Sequence, residues 1–130
     1  MPRYFTLEEA TALISRLEEL ISEMRTAKRE LDGLRQELSE VTRTAAGNGH
    51  LGETDLTDKR EQAERLVELL NTLASDLNDL GCELKGIEEG LVDFPSLRDG
   101  REVYLCWKQG EPQIAFWHEL DTGFPGRRPL

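Results

Sequence analysis

Side chains suited to covalent or metal chemistry are scarce in this chain. Its 130 residues include two histidines, two cysteines and eight aromatic residues. Cys82 and Cys106 share no C-x-x-C spacing, so neither a disulfide framework nor a four-cysteine zinc ribbon is expected. Both read as reduced core residues. Basic residues are also in the minority: 16 Lys and Arg against 26 Asp and Glu leave a net charge of −10. That balance argues against nucleic acid as a partner, because phosphate binding needs basic patches that release counterions. It argues equally against an anionic membrane surface. No apolar run approaches the roughly 18 residues of a bilayer span, and Met1-Pro2-Arg3-Tyr4-Phe5 leads into a helix cap without an apolar signal core. The expected location is the cytoplasm. Gly47, Gly49 and Gly52 lack a preceding strand and a following Lys-Ser/Thr, which excludes a phosphate-binding P-loop.

What the chain does contain is a long helical pattern followed by one dense module. Thr6-Leu7-Glu8-Glu9 is a capping box, with Phe5 at the staple position before it. Leu7, Ala10, Ile14, Leu17, Ile21 and Met24 then recur at helical spacing, flanked by a second track through Leu13, Leu20, Ala27, Leu34 and Val41. This stripe is wider than a two-stranded coiled-coil seam and predicts more than one neighbour. Asp32-Gly33 is a weak point at which the helix could bend, because an interior glycine costs about 1 kcal/mol. The run from Gly47 to Gly52 reads as a loop, with His50 a solvated loop residue. A second helix is expected from about Asp55 to Leu80, ended by Gly81. At 1.5 Å per residue the two helices span ~60 Å and ~38 Å. The second therefore falls short of the first helix's N-terminal third, leaving Leu7 to Leu17 for the chain after Gly81 to cover.

That following stretch holds six of the eight aromatic residues and four of the five prolines. Strands are expected over Cys82–Ile87, Gly90–Phe94, Arg101–Trp107 and Gln113–His118. Pro95 should end the second of these or put it at an edge. Asp99-Gly100 and Gln109-Gly110 read as hairpin turns. Val103, Leu105 and Trp107 alternate against Glu102, Tyr104 and Cys106. Ile114, Phe116 and His118 alternate against Ala115, Trp117 and Glu119. Both faces of this hairpin are aromatic, so one face packs on helices and the other must meet a partner, the tail or a ligand. The tail from Gly123 to Leu130 is expected to be irregular and to fold over it.

Several of these stretches resemble the family known as domain of unknown function 2203: Tyr4 to Ala10, Gly90 to Pro95, Asp99 to Lys108, Phe116 to Leu120, Gly123-Phe124 and Gly126-Arg127. The likeness covers the whole chain. It implies small soluble bacterial or archaeal proteins and brings no activity, substrate, cofactor or functional residue.

Two constellations carry candidate chemistry. His118, Glu119 and Asp121, with Glu102 and Glu83 across strands, offer imidazole and carboxylate ligands for a divalent transition metal. Adjacent strand residues point to opposite faces, however, so His118 and Glu119 could share an ion only if the strand ended at His118. The plainer alternative is a structural His118 bonded to a carboxylate or carbonyl. Arg101, Arg127 and Arg128, beside Trp107, Trp117 and Tyr104, could hold an anion through a planar guanidinium and ring stacking. Against this, internal ion pairs from Asp93, Glu102 or Asp121 would pin Arg127 and Arg128 instead. With the turns as assigned, Cys106 lies opposite Gln113, some five residues from His118 and too far for a nucleophile–base dyad.

The sequence thus predicts one α+β domain: a long antiparallel helical hairpin over 1–81, and an antiparallel meander of three to four strands with an irregular tail over 82–130. The expected function is a cytoplasmic binding or assembly module without catalytic activity. The wide stripe and the two-faced hairpin favour a homodimer. The alternative is a metal- or anion-binding protein or a hydrolase-type enzyme, with its site around His118.

Overall fold

The computed structural model describes residues 3–44 and 53–130. The predicted 47–52 loop and His50 lie outside them. Three helices come first: α1 (Leu7–Thr11), α2 (Ile14–Thr44) and α3 (Glu53–Asp79). Five strands follow: β1 (Glu83–Gly86), β2 (Leu91–Arg98), β3 (Arg101–Lys108), β4 (Phe116–His118) and β5 (Arg128–Pro129). The strands form one antiparallel sheet in sequence order, so the fold is α+β. Among the described residues no helix is long and apolar enough to cross a membrane.

The chain forms two compact units, one of residues 23–74 and one of residues 1–22 with 75–130. The division falls inside both long helices, α2 and α3. In the 23–74 unit α2 and α3 run antiparallel. Lys59 of α3 pairs with Glu37 of α2, while Leu66 closes a cluster with Ala27, Leu31 and Leu34. α2 passes through Gly33 without a break.

The other unit departs from the sequence reading near its start. The first helix is interrupted at Ala12 and Leu13. The Thr11 hydroxyl donates to the Leu7 carbonyl at 2.7 Å, and the Leu13 amide donates three residues back, to Ala10. A Thr hydroxyl bonding back to a carbonyl four residues earlier bends helices in this way. The capping box itself is complete: Glu9 donates its amide to the Thr6 hydroxyl and accepts from the Thr6 amide.

β2 does not end at Pro95 but runs on to Arg98. β1 pairs only with Leu91 to Asp93, and the Pro95 carbonyl accepts from the Phe5 amide at 2.7 Å. Nitrogen and carbonyl of one strand residue point the same way, so the missing N–H of Pro95 faces Phe5 and costs the β3 ladder nothing. The same crossing is held by Ser96 Oγ, which donates to the Phe5 carbonyl at 2.6 Å, and by edge-to-face packing of Phe5 on Phe94.

One sheet face carries Val92, Phe94, Val103, Leu105, Trp107 and Trp117, all buried. With Ala10, Leu17, Leu20, Ile21 and Leu77 they form the core of this unit, each large side chain contributing on the order of 2 kcal/mol. The connection between β3 and β4 is longer than a two-residue turn. The Glu111 carbonyl accepts from the Trp107 indole at 2.9 Å, and its carboxylate accepts from the Lys108 amide at 2.7 Å. Strand pairing resumes only at Phe116. The tail is not wholly irregular: after a short 3₁₀ turn at Phe124–Gly126, Arg128 and Pro129 pair with β4 as a fifth strand.

Candidate functional site

The sheet face opposite Phe94 carries the polar chemistry. On it stand Asp93 from β2, Tyr104 and Cys106 from β3, and His118 from β4. Asp93 is paired with Cys106, and Cys106 with Phe116; Tyr104 is paired with His118. This corrects the predicted register, which set Cys106 opposite Gln113 and far from His118. The seven residues 109–115 are consumed by the Glu111-centred connection, so His118 slides back beside Cys106. Asp93, Cys106 and His118 are all buried, and one donor atom from each lies within 4.8 Å of the other two.

Hydrogen bonds fix the imidazole. Nδ1 lies 2.7 Å from the Glu119 carbonyl oxygen, and Nε2 lies 3.0 Å from Asp93 Oδ1. A carbonyl only accepts, so Nδ1 carries a hydrogen. Nε2 then needs a proton between itself and Oδ1, or two lone pairs would face each other at hydrogen-bond distance between buried side chains. Burial pushes the Cys106 thiol up to about 12, reinforced by the Asp93 charge and opposed by Arg127. Cys106 is therefore held as a thiol beside Asp93, and is not a resting nucleophile. Tyr104 is also pushed up to about 12, first by its hydrogen bond to Glu83, then by burial and the neighbouring carboxylates.

Beside this trio lies a cavity of about 340 Å³. It is lined by His118, Asp93, Cys106 and Tyr104 from the sheet face, by Lys85 and Leu91, and by the Leu120–Phe124 stretch. The unpacked second face of the hairpin thus meets the tail, and a space remains between them.

The residues expected around His118 scatter. β4 ends at His118, as a shared ion would require, yet the Glu119 carboxylate turns away to Arg101 at 2.7 Å. Asp121 lines the cavity. Glu102 interacts with Tyr4, and Glu83 with Tyr104. The proposed anion set does not converge either. Trp107 and Trp117 lie on the opposite face from Tyr104, and Arg101 is engaged by Glu119. Arg127 is stacked on Phe116 at 4.1 Å and Phe124 at 4.8 Å, and donates to Glu111 at 2.7 Å and to the Cys106 carbonyl at 3.3 Å. Arg128 lies over Trp117. Asp93 and Cys106 are the residues that sequence reasoning missed. The signal available was Asp93 itself, a carboxylate set between Val92 and Phe94 on a strand.

The family described as Uncharacterized conserved protein (DUF2203) matches residues 3–130, and the chain belongs to it. No curated protein and no solved structure matches the chain.

Proposed function

We propose that this protein is a binding module that takes a small ligand into the cavity on the His118 face of its sheet. One observation carries this reading: a hydrogen-bonded His118–Asp93 pair, with side chains 2% and 6% exposed, lines a cavity. Buried ionisable pairs are expensive to keep and contribute little net stability, so a pair set beside open space suits a binding role better than a packing one. The volume is near the lower end for ligand pockets, which suits a ligand of few atoms. The protonated Cys106 thiol supports binding over nucleophilic catalysis, and the free Cys82 and Cys106 fit a reducing, cytoplasmic setting. Native mass spectrometry tests this reading with wild type beside Leu120→Trp, which fills the cavity from a lining residue 48% exposed. A small mass carried by wild type and lost in the variant is expected. No such mass, or one retained in Leu120→Trp, contradicts it.

A second reading, a homodimer, is favoured by a different observation. Tyr4, Leu7, Leu97 and Leu130, each exposed between 38% and 53%, surround one groove of about 520 Å³. A second copy of this chain is the occupant proposed there.

A further inference from the structure

We infer that Asp93 Oδ1, Cys106 Sγ and His118 Nε2 form a three-ligand site for a divalent transition metal of the zinc or cobalt class, with its fourth coordination position open to the cavity. The inference rests on the cavity being the binding site and names what binds there. The set replaces the His118, Glu119, Asp121 and Glu102 ligands that the sequence suggested.

Four features of the trio support it. The first is spacing. Bond lengths of about 2.0–2.3 Å to oxygen, nitrogen and sulfur place tetrahedral donors roughly 3.3–3.6 Å apart. The three donors lie within 4.8 Å of one another, and Nε2 and Oδ1 are already at 3.0 Å, so a small rotation of each side chain closes the shell. The second is anchoring. Each ligand comes from a different one of three adjacent strands, which holds the set more firmly than loops would.

The third is the outer shell. A metal-binding imidazole commonly donates its other ring N–H to a carbonyl or carboxylate, which fixes the ligating nitrogen. His118 has this arrangement, with Nδ1 bonded to the Glu119 carbonyl and Nε2 bonded to Asp93. The fourth is the donor set. Sulfur, nitrogen and oxygen together suit borderline ions and disfavour calcium and magnesium, which take oxygen ligands. One thiolate and one carboxylate balance the charge of a divalent ion, so a buried site becomes neutral on loading. On binding, the Sγ–H bond breaks, an Sγ–metal bond forms and the proton leaves to solvent, as does the proton between Nε2 and Oδ1. Three protein ligands beside open space is the pattern of a site that takes water or a small anion as its fourth ligand.

The probe is cobalt(II), added to untagged, chelator-treated full-length protein and followed by visible and near-ultraviolet absorption. The expected result is one cobalt per chain, with the intense visible bands of a tetrahedral centre and a thiolate-to-cobalt charge-transfer band. Cys106→Ser should remove that band, and His118→Gln or Asp93→Asn should weaken binding at least tenfold. Cys82→Ala and His50→Ala should leave the spectrum unchanged. The wild-type spectrum is informative even if a buried variant fails to fold. Absence of the charge-transfer band in wild type, or its survival in folded Cys106→Ser, overturns the inference. If wild type shows no such band yet still carries a small mass that Leu120→Trp loses, the metal assignment falls and the cavity reading stands. If both signals are absent, both fall.

Discussion

Asp93 and His118, 25 residues apart on β2 and β4, meet at 3.0 Å across the strand between them. The contact passes beside Cys106 of β3 and ties three adjacent strands together on one face. Because both partners are buried, neither can be removed cheaply. In chelator-treated protein, His118→Ala or Asp93→Ala is expected to lose about 3–5 kcal/mol, since each leaves an uncompensated polar partner. The double variant should lose clearly less than the two single losses added together. Urea denaturation of the four proteins measures this, and strictly additive losses would count against a coupled pair.

Alkaline pH should weaken the fold through its cysteines. Burial pushes Cys82 up to about 11 and Cys106 up to about 12, from 9.0 for a free thiol. A folded-state pKa above the unfolded one means that the unfolded chain gives up protons first as pH rises. The stabilisation is therefore complete below about pH 9 and is lost as pH climbs toward 11 and 12. A Cys82→Ala/Cys106→Ala double variant should show a shallower decline over that window in urea titrations. An unchanged slope would show that the thiols do not drive it.

Two glycines separate backbone strain from crowding. Gly100, in the Asp99-Gly100 hairpin, has φ +77° and open space where a Cβ would stand. Gly100→Ala should therefore cost roughly 1–2 kcal/mol, from conformation alone. Gly81, at the end of α3, has φ +96°, and a Cβ there would sit 3.2 Å from Arg3 Cδ and 3.3 Å from the Phe5 ring. Gly81→Ala should cost more than Gly100→Ala, because the Phe5 ring that packs on Phe94 must give way. Equal thermal shifts would mean that the N-terminal segment yields freely.

The dimer reading makes a separate prediction. Size-exclusion chromatography with light scattering should give twice the chain mass at micromolar concentration, and Leu97→Glu, at a residue 53% exposed, should give a monomer. A monomeric wild type would leave the groove without its proposed occupant.

Much of the fold was legible because it depends on local pattern. The Thr6 cap, the helix ending at Gly81 and the Asp99-Gly100 turn each have a short-range cause that the residues display. The errors came where a distant partner decided the outcome. Pro95 is tolerated inside β2 because Phe5, ninety residues earlier, takes the other side of the strand. The register of β4 is set by Glu111, whose carbonyl and carboxylate occupy Trp107, Lys108 and Arg127 and lengthen the connection. A shift of three residues was enough to hide the site. It turned Cys106 from a distant core residue into a neighbour of His118, and left Asp93 unnoticed because its partner is reached only across β3. His118 itself was legible as the centre, being a histidine next to Glu119 and Asp121 at the end of an expected strand.

The most direct test of the central claim, that this protein binds a small ligand on the His118 face, is protein-detected NMR with a library of small polar fragments on the full-length chain. Shift changes are expected to concentrate at Asp93, Tyr104, Cys106, His118 and Leu120 to Phe124, and to be abolished by Leu120→Trp. Responses confined to the groove around Tyr4, Leu97 and Leu130, or none on the His118 face, would contradict it.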